Sequence, residues 1–207
     1  MFPMVSEPWE FDAAKAVFEA QLKWLKGQKK MLPEAIRYGA MLEVPALAEM
    51  LDVIAPKVSF LSIGTNDLTQ FLFAADRSNP KLAERYDWLS PSIMRFLRRV
   101  LNSLEGHSVD VTVCGEMGGR RLEALALIGL GIHRLSITPA SVGPIKEMVC
   151  KINAAEIGAA QVPPGRGRPP TPRSGRDVVA RRLGSGPARH VPPRTRALSR
   201  PPRDGRP

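Results

Sequence analysis

Only two of the 207 residues are cysteine, Cys114 and Cys150. That is too few for a disulfide framework or a four-thiolate zinc site, and it suits a reducing compartment. Histidine is nearly as scarce, and neither His107 nor His133 has a partner at ligand spacing. No stretch approaches the roughly 20 uninterrupted apolar residues of a membrane span, and the N-terminus lacks a charged region followed by a long apolar run and a cleavage site. The expectation is a soluble, cytoplasmic chain with no membrane contact. The first 160 residues also lack a net charge, with 18 Lys and Arg against 18 Asp and Glu. The formal +10 therefore resides entirely in the last 47 residues.

Those 47 residues contain 12 Arg, 11 Pro and six Gly, and no Phe, Tyr, Trp, Ile, Met, Asn, Lys or Glu. Nothing there can bury a core, so a disordered tail is expected over 156–207, after a domain spanning 1–155. An Arg-rich arm could pair with nucleic-acid phosphates, but it has no aromatics to stack bases, which disfavours nucleic acid as a partner. All-Arg basicity with abundant Pro, Gly and Ala is also what GC-rich codons give when read in another frame.

With 43% hydrophobic residues overall, the neutral part can build one ordinary core. Met1–Val5 reads as a short buried strand. Residues 7–30 place Trp9, Ala13, Ala16, Val17, Ala20 and Trp24 at helical spacing, broadened by Phe18, Leu22 and Leu25. Strands are expected at 40–44, 58–63, 109–113 and 134–137, with helices at 46–55, from 64–67 through 74, and at 121–130 and 141–152. The surest helix opens at Ser90-Pro91, an N-cap followed by proline at the first helical position. It carries Ile93, Phe96, Leu97, Val100, Leu101 and Leu104 along one face. Strict alternation of five apolar strands with helices argues for a parallel α/β sheet covered on both faces.

In such folds ligands bind at the carboxyl ends of the strands, and here those ends carry reactive residues. Glu43 and Asp67 end successive strand regions 24 residues apart. Two carboxylates, with substrate oxygens and water, suit Mg²⁺; the plainer reading makes Glu43 a solvated strand end and Asp67 a helix cap. Gly64-Thr65-Asn66-Asp67 opens a helix whose free N–H groups favour an anion such as phosphate. Arg77 could clamp a phosphate or carboxylate, or simply pair with Asp76. Cys114 ends a strand among glycines; a free thiol is a proton donor at neutral pH, while a lone cytosolic cysteine is more often structural.

Several stretches together resemble one family: MFPMV at 1–5, GAMLEVPAL at 39–47, FLSIGTNDLTQF at 60–71, AADR at 74–77 and CGEMGG at 114–119. They look like the phosphoenolpyruvate-binding C-terminal domain of the phosphoenolpyruvate–protein phosphotransferases (enzyme I of the bacterial phosphotransferase system), and GAMLEVPAL with FLFAADRSNP is most similar to its nitrogen-related paralogue. The resemblance covers about residues 1–152. It implies a (β/α)₈ TIM barrel, of which this chain would supply strands four to eight. It further implies that Glu43 and Asp67 bind Mg²⁺, that Asn66, Asp67 and Arg77 bind phosphoenolpyruvate, and that Cys114 protonates the enolate carbon as pyruvate forms. The partners implied are a phosphocarrier protein and a second copy of the chain in a homodimer.

The sequence departs from the family in places. Ser78 follows the Asp-Arg pair where glycine is usual, and Gly118 replaces an alanine. Two phosphate-clamping arginines and the phosphorylated histidine of the family belong to segments absent here, so a truncated, inactive fragment is one expectation. Pyruvate phosphate dikinase and phosphoenolpyruvate synthase share the Gly-Thr-Asn-Asp-Leu-Thr-Gln run and are the alternative enzymes. A non-catalytic module binding through its Arg-rich arm is the alternative outside enzymology.

Overall fold

The computed structural model describes residues 1–153. The expected tail, and with it the Arg-rich arm, lies outside the described residues.

Helix α1 (Pro8–Gly27) starts where its sequence says it should. Pro8 fills the first helical position, and Glu7 and Glu10 form a reciprocal capping box in which Glu10 Oε2 accepts from the backbone N–H groups of Glu7 and Ser6. Strand β1 (Gly39–Leu42) follows, then two short helices, α2 (Pro45–Ala48) and α3 (Leu51–Ile54), and strand β2 (Phe60–Gly64). The single helix expected over 46–55 is thus broken: Met50 leaves the helical region at φ −117°, ψ 23°, although Leu47, Ala48, Leu51 and Ile54 all still face the core. Helix α4 (Thr65–Phe73) runs directly out of β2.

Helix α5 (Pro91–Ser103) agrees with its sequence signal in detail. Ser90 Oγ accepts from the Ile93 N–H, and Ile93, Met94, Phe96, Leu97 and Val100 are buried. Strand β3 (Asp110–Cys114), helix α6 (Arg121–Leu130), strand β4 (Leu135–Ser136) and helix α7 (Pro139–Val149) complete the described chain.

The four strands form one all-parallel sheet in the order β1-β2-β3-β4, with Leu42 opposite Ile63 and Gly64 opposite Cys114. The fold is α/β, as the alternation of elements predicts. Met1–Val5 contributes less than a strand: Phe2 alone bridges Ala40 in parallel, its N–H donating to Gly39 O and its C=O accepting from Met41 N–H. Coverage of both faces holds for β1 and β2, whereas every residue of β3 except Val113 is half-exposed.

The main core joins Phe11, Leu42, Leu47, Leu61, Ile63, Leu68, Leu97 and Met117, and a smaller cluster of Ala124, Ile128, Ile145 and Met148 seals α6 against α7. One expectation fails outright. Of the α1 residues Trp9, Ala13, Ala16, Val17, Ala20 and Trp24, none is buried; the inward face is Phe11, with Leu22 and Leu25 half-buried. Phe11 wins because it meets the Phe2 ring edge-on at 5.5 Å, which fixes the rotation of the helix.

At the amino ends of the strands, Asp110 joins three chain segments. Its carboxylate takes Arg37, just before β1, at 2.8 Å and Arg134, just before β4, at 2.6 Å, while Arg37 also donates to Ser59 O before β2. The hydrogen bond from Arg37, then that from Arg134, hold the Asp110 carboxyl below its ordinary range. A carboxyl depressed on folding stabilises the fold above its unfolded pKa, and that contribution is lost as pH falls through the folded value. Asp110→Asn should therefore melt somewhat lower than wild type at neutral pH. The gap should narrow once the pH drops below about 4, which melting curves across a pH series will read.

Candidate functional site at the carboxyl ends of the strands

The parallel register brings the ends of β1, β2 and β3 to one rim. Glu43, immediately after β1, is 4% exposed, and its Oε1 accepts from the Met4 N–H at 2.7 Å. Its other oxygen faces Gly64: a Cβ added there would sit 2.8 Å from Glu43 Oε2. Gly64 is glycine because the carboxylate of the neighbouring strand occupies the space a side chain would need. Glu43 is thus a buried acid held against the turn that opens α4, and the reading of it as a solvated strand end fails.

Gly64, not Asp67, is the N-cap of α4, and no side chain caps that helix. Asp67 lies at the third helical position, so its carboxylate is not used in capping. The Thr65 hydroxyl donates across the sheet to Cys114 O at 3.2 Å, and Asn66 Oδ1 accepts from the Glu116 N–H at 3.4 Å. These two bonds tie the loop after β2 to the loop after β3. Gly115, between Cys114 and Glu116, has φ +114°, and a Cβ there would lie 2.7 Å from Thr65 Oγ1 and 3.2 Å from Asn66 Oδ1. Cys114 itself is a free, half-exposed thiol at the end of β3.

Arg77 is exposed just beyond α4, its N–H donating to Gln70 Oε1. The suggested pairing with Asp76 gives way to a local turn: Asp76 Oδ1 accepts from both the backbone N–H and the hydroxyl of Ser78. Those bonds, more than the nearby Arg77 charge, lower the Asp76 pKa.

Tyr86 is the residue sequence reasoning missed. Its hydroxyl donates to Asn66 O, and its ring packs edge-on to Trp88. Burial pushes the phenol pKa up; Arg77 opposes that shift, whereas Asp67 and Glu116 add to it. Asn66 is thereby bonded on both sides, its carbonyl by the Tyr86 hydroxyl and its side chain by the Glu116 N–H. Tyr86 follows a short 3₁₀ helix (Pro80–Arg85) without hydrophobic periodicity, so no pattern pointed to it.

Beside these residues opens a cavity of about 480 Å³, walled by Asn66, Glu116, Arg120, Ser136, Thr138 and Ser141. The Arg120 guanidinium lies over the Trp88 ring at 4.7 Å. Arg120 and the three hydroxyl residues likewise carried no signal in the sequence beyond being polar.

The comparisons with known proteins decide the family. Residues 1–154 match the model of the PEP-utilising enzyme, PEP-binding domain, where PEP is phosphoenolpyruvate. The chain belongs to the PEP-utilising enzymes. Among relatives of this PEP-binding domain, a protein of Escherichia coli K12 named for the phosphoenolpyruvate-dependent phosphotransferase system is 38% identical over 159 residues, or 75% of this chain and 21% of that protein. The phosphoenolpyruvate-protein phosphotransferase of Streptococcus equinus is 36% identical over 76% of this chain and 27% of its own length. That of Borreliella burgdorferi is 39% identical over 64% of this chain and 23% of its length. The chain thus spans about a quarter of the curated relatives it matches.

Within the PEP-binding domain, Glu43 just after β1 and Asp67 in the first turn of α4 offer hard oxygen donors, and the buried Glu43 carboxylate turns its second oxygen toward the Gly64 turn that leads to Asp67. That donor chemistry fits Mg²⁺, which takes few protein oxygens and completes its shell from substrate and water. Among the described residues no group of three or more His, Cys, Asp or Glu gathers. Also among the described residues, no helix is long and apolar enough to cross a membrane.

The glycine geometry gives a direct test. Gly115→Ala combines a strained φ with a Cβ driven against the bonded Thr65 hydroxyl, and should cost about 1–3 kcal/mol in urea unfolding. Gly143→Ala, in α7 with open space around it, should be neutral or stabilising by up to about 1 kcal/mol.

Proposed function

We propose that the chain forms the carboxyl-terminal part of a (β/α)₈ barrel and carries the PEP site of a phosphoenolpyruvate–protein phosphotransferase. The observation that supports this most is the cross-strand joining of Glu43, Gly64, Thr65, Asn66 and Cys114 at one rim. In that site Asn66 and Arg77 hold the phosphate of PEP, and Asp67 and Glu43 hold Mg²⁺. When bound, Mg²⁺ would neutralise charge on the phosphate and the enolate oxygen.

The reaction breaks the bond from phosphorus to the enol oxygen and makes a bond from phosphorus to a histidine nitrogen elsewhere in the whole protein. Arg77 stabilises the charge spread over the moving phosphoryl oxygens. The pair of electrons left on the substrate forms an enolate. Cys114, at the end of β3 with its loop fixed by the Thr65 hydroxyl, donates its proton to the methylene carbon, giving pyruvate. Tyr86 positions Asn66 by bonding its carbonyl. In the whole protein the phosphohistidine would pass its phosphate to a small carrier protein, and the chain would pair with a second copy as a homodimer. The phosphotransferase reading is preferred over pyruvate phosphate dikinase because the relatives named above are phosphotransferases.

Calorimetric titration of PEP into the chain with Mg²⁺ tests this. Saturable binding is expected for wild type, lost without Mg²⁺ and lost in Glu43→Ala with Asp67→Ala. Binding by the double variant equal to wild type, or none by a wild type shown to be folded, would refute the assignment for this chain.

A further inference from the structure

The cavity of about 480 Å³ takes no part in the proposed reaction beyond sharing Asn66 with it. Its walls come chiefly from the loop after β3, the end of β4 and the first turn of α7, all within this chain. Their polar groups fall into two sets, each held together by its own contacts. In one, Thr138 Oγ1 and Ser141 Oγ lie 3.1 Å apart, and a Cβ on Gly119 would sit 2.9 Å from Ser141 Oγ, so the backbone closes against the hydroxyls. Arg120 follows Gly119 directly, and Ser136 ends β4 just before this turn. In the other set the Glu116 N–H donates to Asn66 Oδ1. One set thus brings a cation and hydroxyls to the cavity, the other a carboxylate and an amide.

Arg120 is the distinctive member. Its guanidinium lies over the ring of the buried Trp88, which gives the cation a fixed platform. Among the described residues Arg120 enters no ion pair, whereas Arg121 beside it takes Glu147. A guanidinium presents its N–H groups as a planar fork that matches the oxygens of a carboxylate or a phosphate. The hydroxyls beside it decide between those two, since a carboxylate spends both oxygens on the fork while a phosphate monoester keeps a further oxygen for Ser and Thr to meet. A phosphate by itself leaves most of the volume open. Toward the remainder stands Glu116, which repels a second anion and accepts from hydroxyl groups.

We infer that this cavity is a second ligand site, for a small phosphate monoester that carries hydroxyl groups. Arg120, Ser136, Thr138 and Ser141 take the phosphate, and Glu116 with the Asn66 side chain takes the hydroxylated end. PEP has the phosphate but no hydroxyl, so it lacks the second half of the contact. The site needs neither Mg²⁺ nor Cys114 and stands apart from the assignment of the PEP site.

The experiment is a titration of the full 207-residue chain with glycerol phosphate in the absence of Mg²⁺, followed by fluorescence and by calorimetry. Trp9 and Trp24, both exposed, are replaced by Phe, which leaves Trp88 as the reporting tryptophan. An anion drawing on the Arg120 guanidinium changes the emission of the ring beneath it. Saturable binding is expected, with a dissociation constant about tenfold higher in Arg120→Gln and several-fold higher in Ser141→Ala, circular dichroism being unchanged in both. Inorganic phosphate should bind several-fold more weakly than glycerol phosphate, and the Glu43→Ala, Asp67→Ala double variant should bind glycerol phosphate as wild type does. No binding by a folded chain overturns the site. So does binding indifferent to Arg120→Gln or, should that variant not fold, to Ser141→Ala. Loss of binding in the double variant places glycerol phosphate in the PEP site and overturns the second site, whatever the fate of PEP itself. Inorganic phosphate binding as tightly as glycerol phosphate overturns the monoester and leaves an anion site only.

Discussion

The parallel pairing of β1, β2 and β3 is the constraint from which the site follows. Because Leu42 is opposite Ile63 and Gly64 opposite Cys114, three strand ends arrive at one level. The residues just after them, Glu43, Thr65 to Asp67, and Gly115 with Glu116, must share a small volume. A slip of one residue in β2 would exchange its two buried faces and set the polar Ser62 where Ile63 packs in the main core, so packing favours this register. The site is a by-product of a packing problem with one solution.

Two glycines show how tight that solution is. Gly64 leaves room for the Glu43 carboxylate, and Gly115 leaves room for the Thr65 hydroxyl and the Asn66 amide. They differ in kind: Gly64 is required by space alone, Gly115 by space and by a backbone φ that side chains rarely adopt. Each serves a contact between strands that are far apart in sequence, which explains why a glycine turn read along the chain is a weak signal and becomes decisive only once the sheet is formed.

The sequence made the alternation of strands and helices legible, because period and caps are local properties. Ser90, Pro91 and the apolar face of α5 are the best example. It also made Glu43, Asn66, Asp67 and Cys114 legible as residues that follow or end strands, and Arg77 as one beyond the next helix, though which of them touch depends on register. Tyr86 and Arg120 were hidden, since each acts through a ring or carbonyl contributed by another segment. The rotation of α1 was hidden for a related reason. Its two candidate faces are both apolar, and only the edge-on contact of Phe11 with Phe2 selects one.

The Asp110 cluster has an implication for how such a protein can change over time. Its ion pairs fasten the amino ends of the strands, at the opposite pole of the sheet from Cys114 and Glu43. Anchorage and the candidate site thereby lie at separate poles. Loops at the candidate-site pole can vary while the anchored pole keeps the strands aligned, and the anchored pole can be rebuilt without shifting the rim.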